Sequence, residues 1–182
     1  MLPFSDRELP GGLVLRVRAE EDAPALAAAY SRNRGHLAQW DPKREDDFYT
    51  DIRQLAHTRE LLALRDQGTA LPLVLADGES IAGLVNLSSI VRGAFQSATV
   101  GYWLDRDHTK RGLASAALHA VIEVARDDYG LHRIQAATLL HNHASQTVLT
   151  RTGFERIGVA PAYLKIAGRW QDHVLFQRIL HD

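Results

Sequence analysis

Cysteine is absent from the 182-residue chain. That excludes a disulfide scaffold, a zinc ribbon, an iron–sulfur cluster and a thiol nucleophile. A thiol-free chain suits a reducing compartment, so a cytoplasmic setting is expected. No apolar run approaches the roughly 18 residues of a membrane span. The first ten residues are mixed polar and acidic, unlike a signal peptide. An excess of either charge is also missing: 21 Lys and Arg oppose 22 Asp and Glu, a net charge of −1. The chain therefore has no basic field for nucleic acid. There is no P-loop, no Rossmann glycine set and no Gly-x-Ser-x-Gly elbow. Lysine is scarce, with only Lys43, Lys110 and Lys165; we read the arginine bias as genome composition.

Hydrophobic residues make up 46% of the chain, too many for disorder. The length suits one domain over residues 1–182, with its core at about 13–180. Alternation at Leu13, Leu15 and Val17 predicts a first strand. A helix follows from the acidic Glu20–Asp22 cluster, with Pro24 in its first turn and Gly35 as its stop. A loop around Trp40 and Pro42 leads to a second helix over 47–66, whose stripe is Ile52, Leu55 and Leu62. Asp77-Gly78 marks a hairpin between strands at 71–76 and 80–91. A further strand ends at Thr99–Leu104, and a helix is expected over 111–129. A strand at 133–139, a short helix at 142–152 and strands at 154–166 and 170–180 complete the order. This β-α-α-β-β-β-α-β-α-β-β order predicts an α/β (α+β) fold. The sheet is mixed and mostly antiparallel, with one parallel β-α-β crossover and helices on both faces.

Two segments carry chemistry. In Gly101–Ala114 a strand end meets a helix start, where unpaired amides and a partial positive charge gather. Lys110 and Arg111 add cations, and Gly112 and Ala114 allow close backbone approach. Such a site suits a pyrophosphate; it also reads as a tight turn with two solvated basic residues. In His141–Ser145, Asn142 and Ser145 sit three apart at a helix start, where Asn142 equally fits a helix cap. His141 and His143 lack a nearby third ligand, so no metal is expected. The three tryptophans suit packing better than base stacking.

These residues together resemble the GNAT N-acetyltransferases from about Leu13 onward. Within that superfamily the chain is most similar to the RimJ/RimL branch, which acetylates N-termini of ribosomal proteins. The residues that carry the likeness are Leu13-Val14-Leu15-Arg16, Gly101-Tyr102-Trp103-Leu104, Asn142-x-x-Ser145, Gly153-Phe154 and Asp172-His173-Val174-Leu175-Phe176. The resemblance implies acetyl-CoA wedged between the strands at 99–104 and 133–139. Its pyrophosphate would lie on the amides of Thr109, Lys110, Arg111, Gly112, Leu113 and Ala114. Its pantetheine would meet the backbone of Trp103 and Leu104, and Asn142 would hold it nearby. An amide there would also face the carbonyl oxygen that gains charge. Ser145 would protonate the departing thiolate. The expected reaction is direct acetyl transfer to a primary amine, a protein N-terminus, without an acyl-enzyme. The acceptor cleft would be built from the 37–47 and 160–170 segments. A homodimer is among the expectations.

The chain departs from the pattern twice. Thr109 holds the position where the superfamily has Gln or Arg, although backbone amides carry most phosphate binding. Arg106 stands where some members have a carboxylate base. Asp107 is the candidate substitute, but Arg106 beside it makes it a poor proton acceptor, which favours a water route. A small-molecule N-acetyltransferase and a non-catalytic acyl-CoA-binding module are the competing readings, the latter favoured by Arg106.

Overall fold

The computed structural model describes residues 4–181; Met1 to Pro3 of the polar N-terminal stretch and Asp182 lie outside it. Eight strands form one sheet. They are β1 (Arg7–Glu8), β2 (Val14–Val17), β3 (Leu71–Asp77), β4 (Ser80–Val91), β5 (Ser97–Leu104), β6 (Arg133–Leu139), β7 (Glu155–Ile166) and β8 (Arg169–Ile179). The spatial order is β1-β2-β3-β4-β5-β6-β8-β7. All neighbours are antiparallel except β5 and β6. The helices are α1 (Ala23–Leu37), α2 (Asp51–Asp66), α3 (Leu113–Glu123) and α4 (His143–Arg151). This is the expected mixed fold, with the two-residue strand β1 added at one edge.

Alternation along the strands divides the core between two faces. Val85, Leu87, Ala98 and Val100 pack with α3 residues such as Leu118 and Val121. Val74, Ile81 and Leu84 pack with Leu26, Tyr30 and Leu37 of α1. Helix α1 therefore runs through Gly35, the expected stop, because Leu37 is buried in that second cluster. Burying Leu37 outweighs the roughly 1 kcal/mol a glycine costs inside a helix.

Helix α2 also differs from expectation. It starts at Asp51 rather than 47, because the Thr50 hydroxyl accepts from the Arg53 amide as a cap. Its buried face is polar. Ile52 is 83% exposed, while Gln54 and Thr58 are fully buried. They enclose Arg18, whose Nε donates to Thr58 Oγ1 at 2.7 Å and whose terminal nitrogen donates to Gln54 Oε1 at 3.1 Å. The 3–4 spacing of Ile52, Leu55 and Leu62 matched a helix but marked the wrong face.

Helix α3 begins two residues later than expected and ends in a π turn, Val124–Asp128. The wider turn leaves Val124, Ala125 and Tyr129 all buried.

Candidate active site

The site is set by where two strands stop pairing. β5 and β6 pair in parallel only from Ser97–Arg133 to Thr99–Gln135. β5 then continues to Leu104 along β4, and β6 continues to Leu139 along β8. Their facing edges open into a wedge whose backbone groups have no strand partner. β5 keeps its course because Gly83 of β4 lies against it. A Cβ built there would come within 2.4 Å of the Trp103 carbonyl oxygen.

At the wide end of the wedge β5 passes through a short helical turn, Arg106–His108, into α3. Lys110 and Gly112 both have positive φ, 63° and 76°. This conformation presents consecutive amides: those of Lys110, Arg111, Gly112, Leu113 and Ala114 donate to no acceptor among the described residues. Leu113 is buried and anchors the helix, while Lys110, Arg111 and Gly112 are exposed. Thr109 spends its hydroxyl on the Arg106 carbonyl at 2.8 Å. Five free amides, two cations and a helix N-terminus fit a pyrophosphate, and the free edge of Val100–Leu104 fits an extended amide arm.

Asp105 fixes this turn from beneath. It is almost fully buried and pairs with Arg32 of α1. It also accepts from Asn33 Nδ2 at 2.9 Å and from the Asp107 amide at 3.0 Å. Burial pushes its carboxyl up, but the Asp107 amide, Asn33 and Arg32 together hold it below the ordinary carboxylate value.

Asn142 and Ser145 sit at the start of α4. Asn142 Oδ1 accepts from the Ser145 amide at 3.1 Å, so the side chain is a helix cap. Its Nδ2 donates to no described acceptor and remains available. Ser145 Oγ lies 2.9 Å from the hydroxyl of Tyr102 on β5. Burial pushes the Tyr102 phenol up to about 12, against the opposing hydrogen bond with Ser145. The pair is thus a protonated phenol on a half-buried hydroxyl, an arrangement able to deliver a proton. No role attached to Tyr102 in the sequence. Its period-2 position opposite Trp103 gave its face, but its partner lies 43 residues away.

Asp107 stands apart from this pair. Its side chain is 74% exposed, and its ion-pair partner is Arg106, at 3.6 Å. Among the described residues no group of three His, Asp or Glu could hold a metal.

Trp103 points to the other sheet face. Its indole N–H donates to the Tyr30 hydroxyl at 3.3 Å. Tyr30 forms one wall of a cavity of about 300 Å³ lined also by Asp41, Arg44, Phe48 and Ala167. This lies where the acceptor segments were expected, between the end of α1 and the β7–β8 turn. The Trp40 ring lies beside that of His141, at a centroid distance of 5.3 Å.

Comparison with known proteins agrees with this architecture. A model of the acetyltransferase (GNAT) domain matches residues 13–155. The [ribosomal protein uS5]-alanine N-acetyltransferase of Escherichia coli is 36% identical over 165 residues, covering 90% of this chain and 85% of that protein. The crystal structure of the Vibrio fischeri ribosomal-protein-S5-alanine acetyltransferase superposes with a TM-score of 0.93 at 34% identity, covering 98% of each chain. Mycobacterium smegmatis RimJ, solved with CoA-disulfide, superposes with a TM-score of 0.90 at 28% identity, covering 96% of this chain and 86% of that one.

Proposed function

Because the chain belongs to the GNAT acetyltransferase family, as an acetyl-CoA-dependent enzyme of RimJ/RimL type, we propose that its acceptor is the N-terminal α-amine of a protein, ribosomal in kind. The observation that carries this acceptor is the likeness to proteins named as acting on ribosomal protein S5 alanine, over nearly the whole chain. The rival readings, a small-molecule acetyltransferase and a silent acyl-CoA-binding module, are less favoured by the same likeness.

When bound, acetyl-CoA supplies the thioester carbonyl that an amine attacks. The amides of Lys110 to Ala114, which have no acceptor among the described residues, and the Lys110 and Arg111 cations would hold its pyrophosphate. The free β5 edge at Trp103 and Leu104 and the Nδ2 of Asn142 orient the arm. A free amide of the β5 edge would stabilise negative charge on the thioester carbonyl oxygen. Ser145, with Tyr102 behind it, gives the sulfur its proton. Asp107, exposed beside Arg106, takes no part. The chain works as one domain over residues 1–182, in the cytoplasm, as a homodimer. Val159 and Trp170 are exposed on the same side of the β7–β8 hairpin and offer a second copy an apolar contact. Light scattering that returned a monomer mass at working concentration would remove the pairing.

The test of the acceptor is release of CoA from acetyl-CoA with a panel of short peptides beside polyamines and aminoglycosides. A peptide with N-terminal alanine should be acetylated at its α-amine, located by mass spectrometry. Turnover confined to small amines would overturn the protein acceptor, and no turnover on any panel member would favour the binding module.

A further inference from the structure

Two groups of opposite charge face the cavity beside Trp103 and satisfy neither each other nor any neighbour. Asp41 is half-buried, and its carboxylate has no hydrogen-bond or ion-pair partner among the described residues. Its backbone is pinned from both sides: its amide donates to the Leu37 carbonyl, and its carbonyl accepts from the Ala167 amide of the β7–β8 turn. The position of the carboxylate is therefore fixed by α1 and by the far hairpin together. Arg44 lies over the Phe48 ring, 4.4 Å from its centroid. Its Nε is buried and unpartnered, and its guanidinium makes no hydrogen bond among the described residues. Unmatched polar groups in a half-buried site are costly unless a ligand completes them.

The remaining charged and titratable walls are committed or turned outward. Arg34 pairs with Asp46 at 2.6 Å and lies over the Tyr49 ring. The Tyr30 hydroxyl accepts from Trp103. Lys43 is exposed. Only Ala167 faces the cavity from the β7–β8 turn. Asp41 is thus the one carboxylate lining the cavity, with Arg44 acting on it at a distance too great for an ion pair.

The face matters as much as the charge. Alternation on β5 sends Trp103 to the cavity side and Tyr102 to the Ser145 side. The free β5 edge lies between them. A nucleophile seated in the cavity and a thiol seated beside Ser145 would approach that edge from opposite faces.

Resting on the acceptor reading above, we propose that this cavity takes the first residue of the acceptor chain, its α-ammonium on Asp41 and its first peptide carbonyl on the Arg44 guanidinium. Asp41 removes one ammonium proton and passes it to solvent. The freed lone pair forms the N–C bond, the C–S bond breaks, and the sulfur takes a proton from Ser145. The second nitrogen proton leaves to water, and Ser145 is reprotonated from solvent through Tyr102. Burial pushes the Asp41 carboxyl above the ordinary value, with Arg44 opposing, and this strengthens it as a proton acceptor. A carbonyl next to the amine is what separates a chain terminus from a lysine side chain or a polyamine.

The experiment compares wild type, Asp41→Asn and Arg44→Gln on a hexapeptide with N-terminal alanine and on isopropylamine, which has the same amine and methyl group without the carbonyl. Asp41→Asn should lower kcat/KM at least 100-fold on both acceptors and replace the acid limb set by Asp41 with one that follows the free-amine fraction of the acceptor. Its acetyl-CoA affinity by calorimetry should stay within twofold. Arg44→Gln should raise KM about tenfold more for the peptide than for isopropylamine, because any change it makes through Asp41 is common to both acceptors. Unchanged peptide kinetics in both variants would overturn the proposal. If wild type acetylates isopropylamine and not the peptide, the protein-acceptor reading fails, and full activity of Asp41→Asn on isopropylamine then overturns the ammonium site as well. If wild type turns over neither, calorimetry of the hexapeptide against the CoA-saturated protein decides. Binding lost in Asp41→Asn supports the site, and equal or absent binding overturns it.

Discussion

At the scale of single residues, the Ser145–Tyr102 pair makes the sharpest demand. A proton donor must hold its proton until the thiolate forms, and a phenol pushed up to about 12 stays protonated through the working range. Ser145→Ala should lower kcat by roughly 10²–10⁴-fold with acetyl-CoA affinity nearly intact. Tyr102→Phe should fall between that variant and wild type, because Ser145 keeps its own hydroxyl. A Ser145→Ala protein that lost thermal stability but kept kcat would make the residue only part of the α4 cap. Asp107→Asn is the matched control, expected to retain most activity. The sequence showed that Ser145 follows Asn142 at cap spacing and could not show that a phenol waits above it.

Single elements carry the next demand, at the β5–α3 turn. Its amides are free because Lys110 and Gly112 adopt positive φ and α3 starts only at Leu113. At Gly112 the space beside the missing Cβ is open, so a side chain there would meet ligand rather than protein. Gly112→Glu should weaken CoA binding more than tenfold, about 1.4 kcal/mol. Part of that arises from strain at φ 76° and part from the negative charge. Gly112→Ala carries the strain alone, so the difference between the two variants, read by calorimetry, isolates the electrostatic share. CoA affinity unchanged in the glutamate variant would remove the pyrophosphate from this turn.

For the molecule as a whole, Asp105 joins the helices on one face to the ligand turn at the end of β5. Its partners, Arg32 and Asn33, belong to α1, yet it fixes the loop that opens α3 on the opposite face. Asp105→Asn should cost at least about 2 kcal/mol at neutral pH, the usual scale for hydrogen bonds to a charged group. Because its folded-state carboxyl is held below the ordinary value, that stability is complete above the unfolded value of about 3.9 and is lost as pH falls through the folded value. Thermal melts should therefore show a gap between wild type and variant at pH 7 that narrows only on strong acidification. A gap independent of pH would assign the effect to packing. Asp41 has the opposite sign. Its raised carboxyl subtracts stability as pH climbs through its window, so a functional carboxylate there is held at a cost to the fold.

The sequence by itself determined the order of strands and main helices from Leu13 onward, the hairpin at Asp77-Gly78, the β5–α3 and β6–α4 junctions and the family. These are local: alternation, glycine stops and caps are written within a few residues of where they act. It misjudged Gly35 because Leu37 is buried across the sheet, and it misjudged the face of α2 because Gln54 and Thr58 enclose an arginine 36 and 40 residues away. Tertiary structure alone decided the rest. Where β5 and β6 part, which face each of Tyr102 and Trp103 occupies, and that the β7–β8 turn holds Asp41 at the cavity through Ala167 all depend on contacts between distant segments. No periodicity records such contacts, because each residue's partner is chosen by how the sheet and helices close around it.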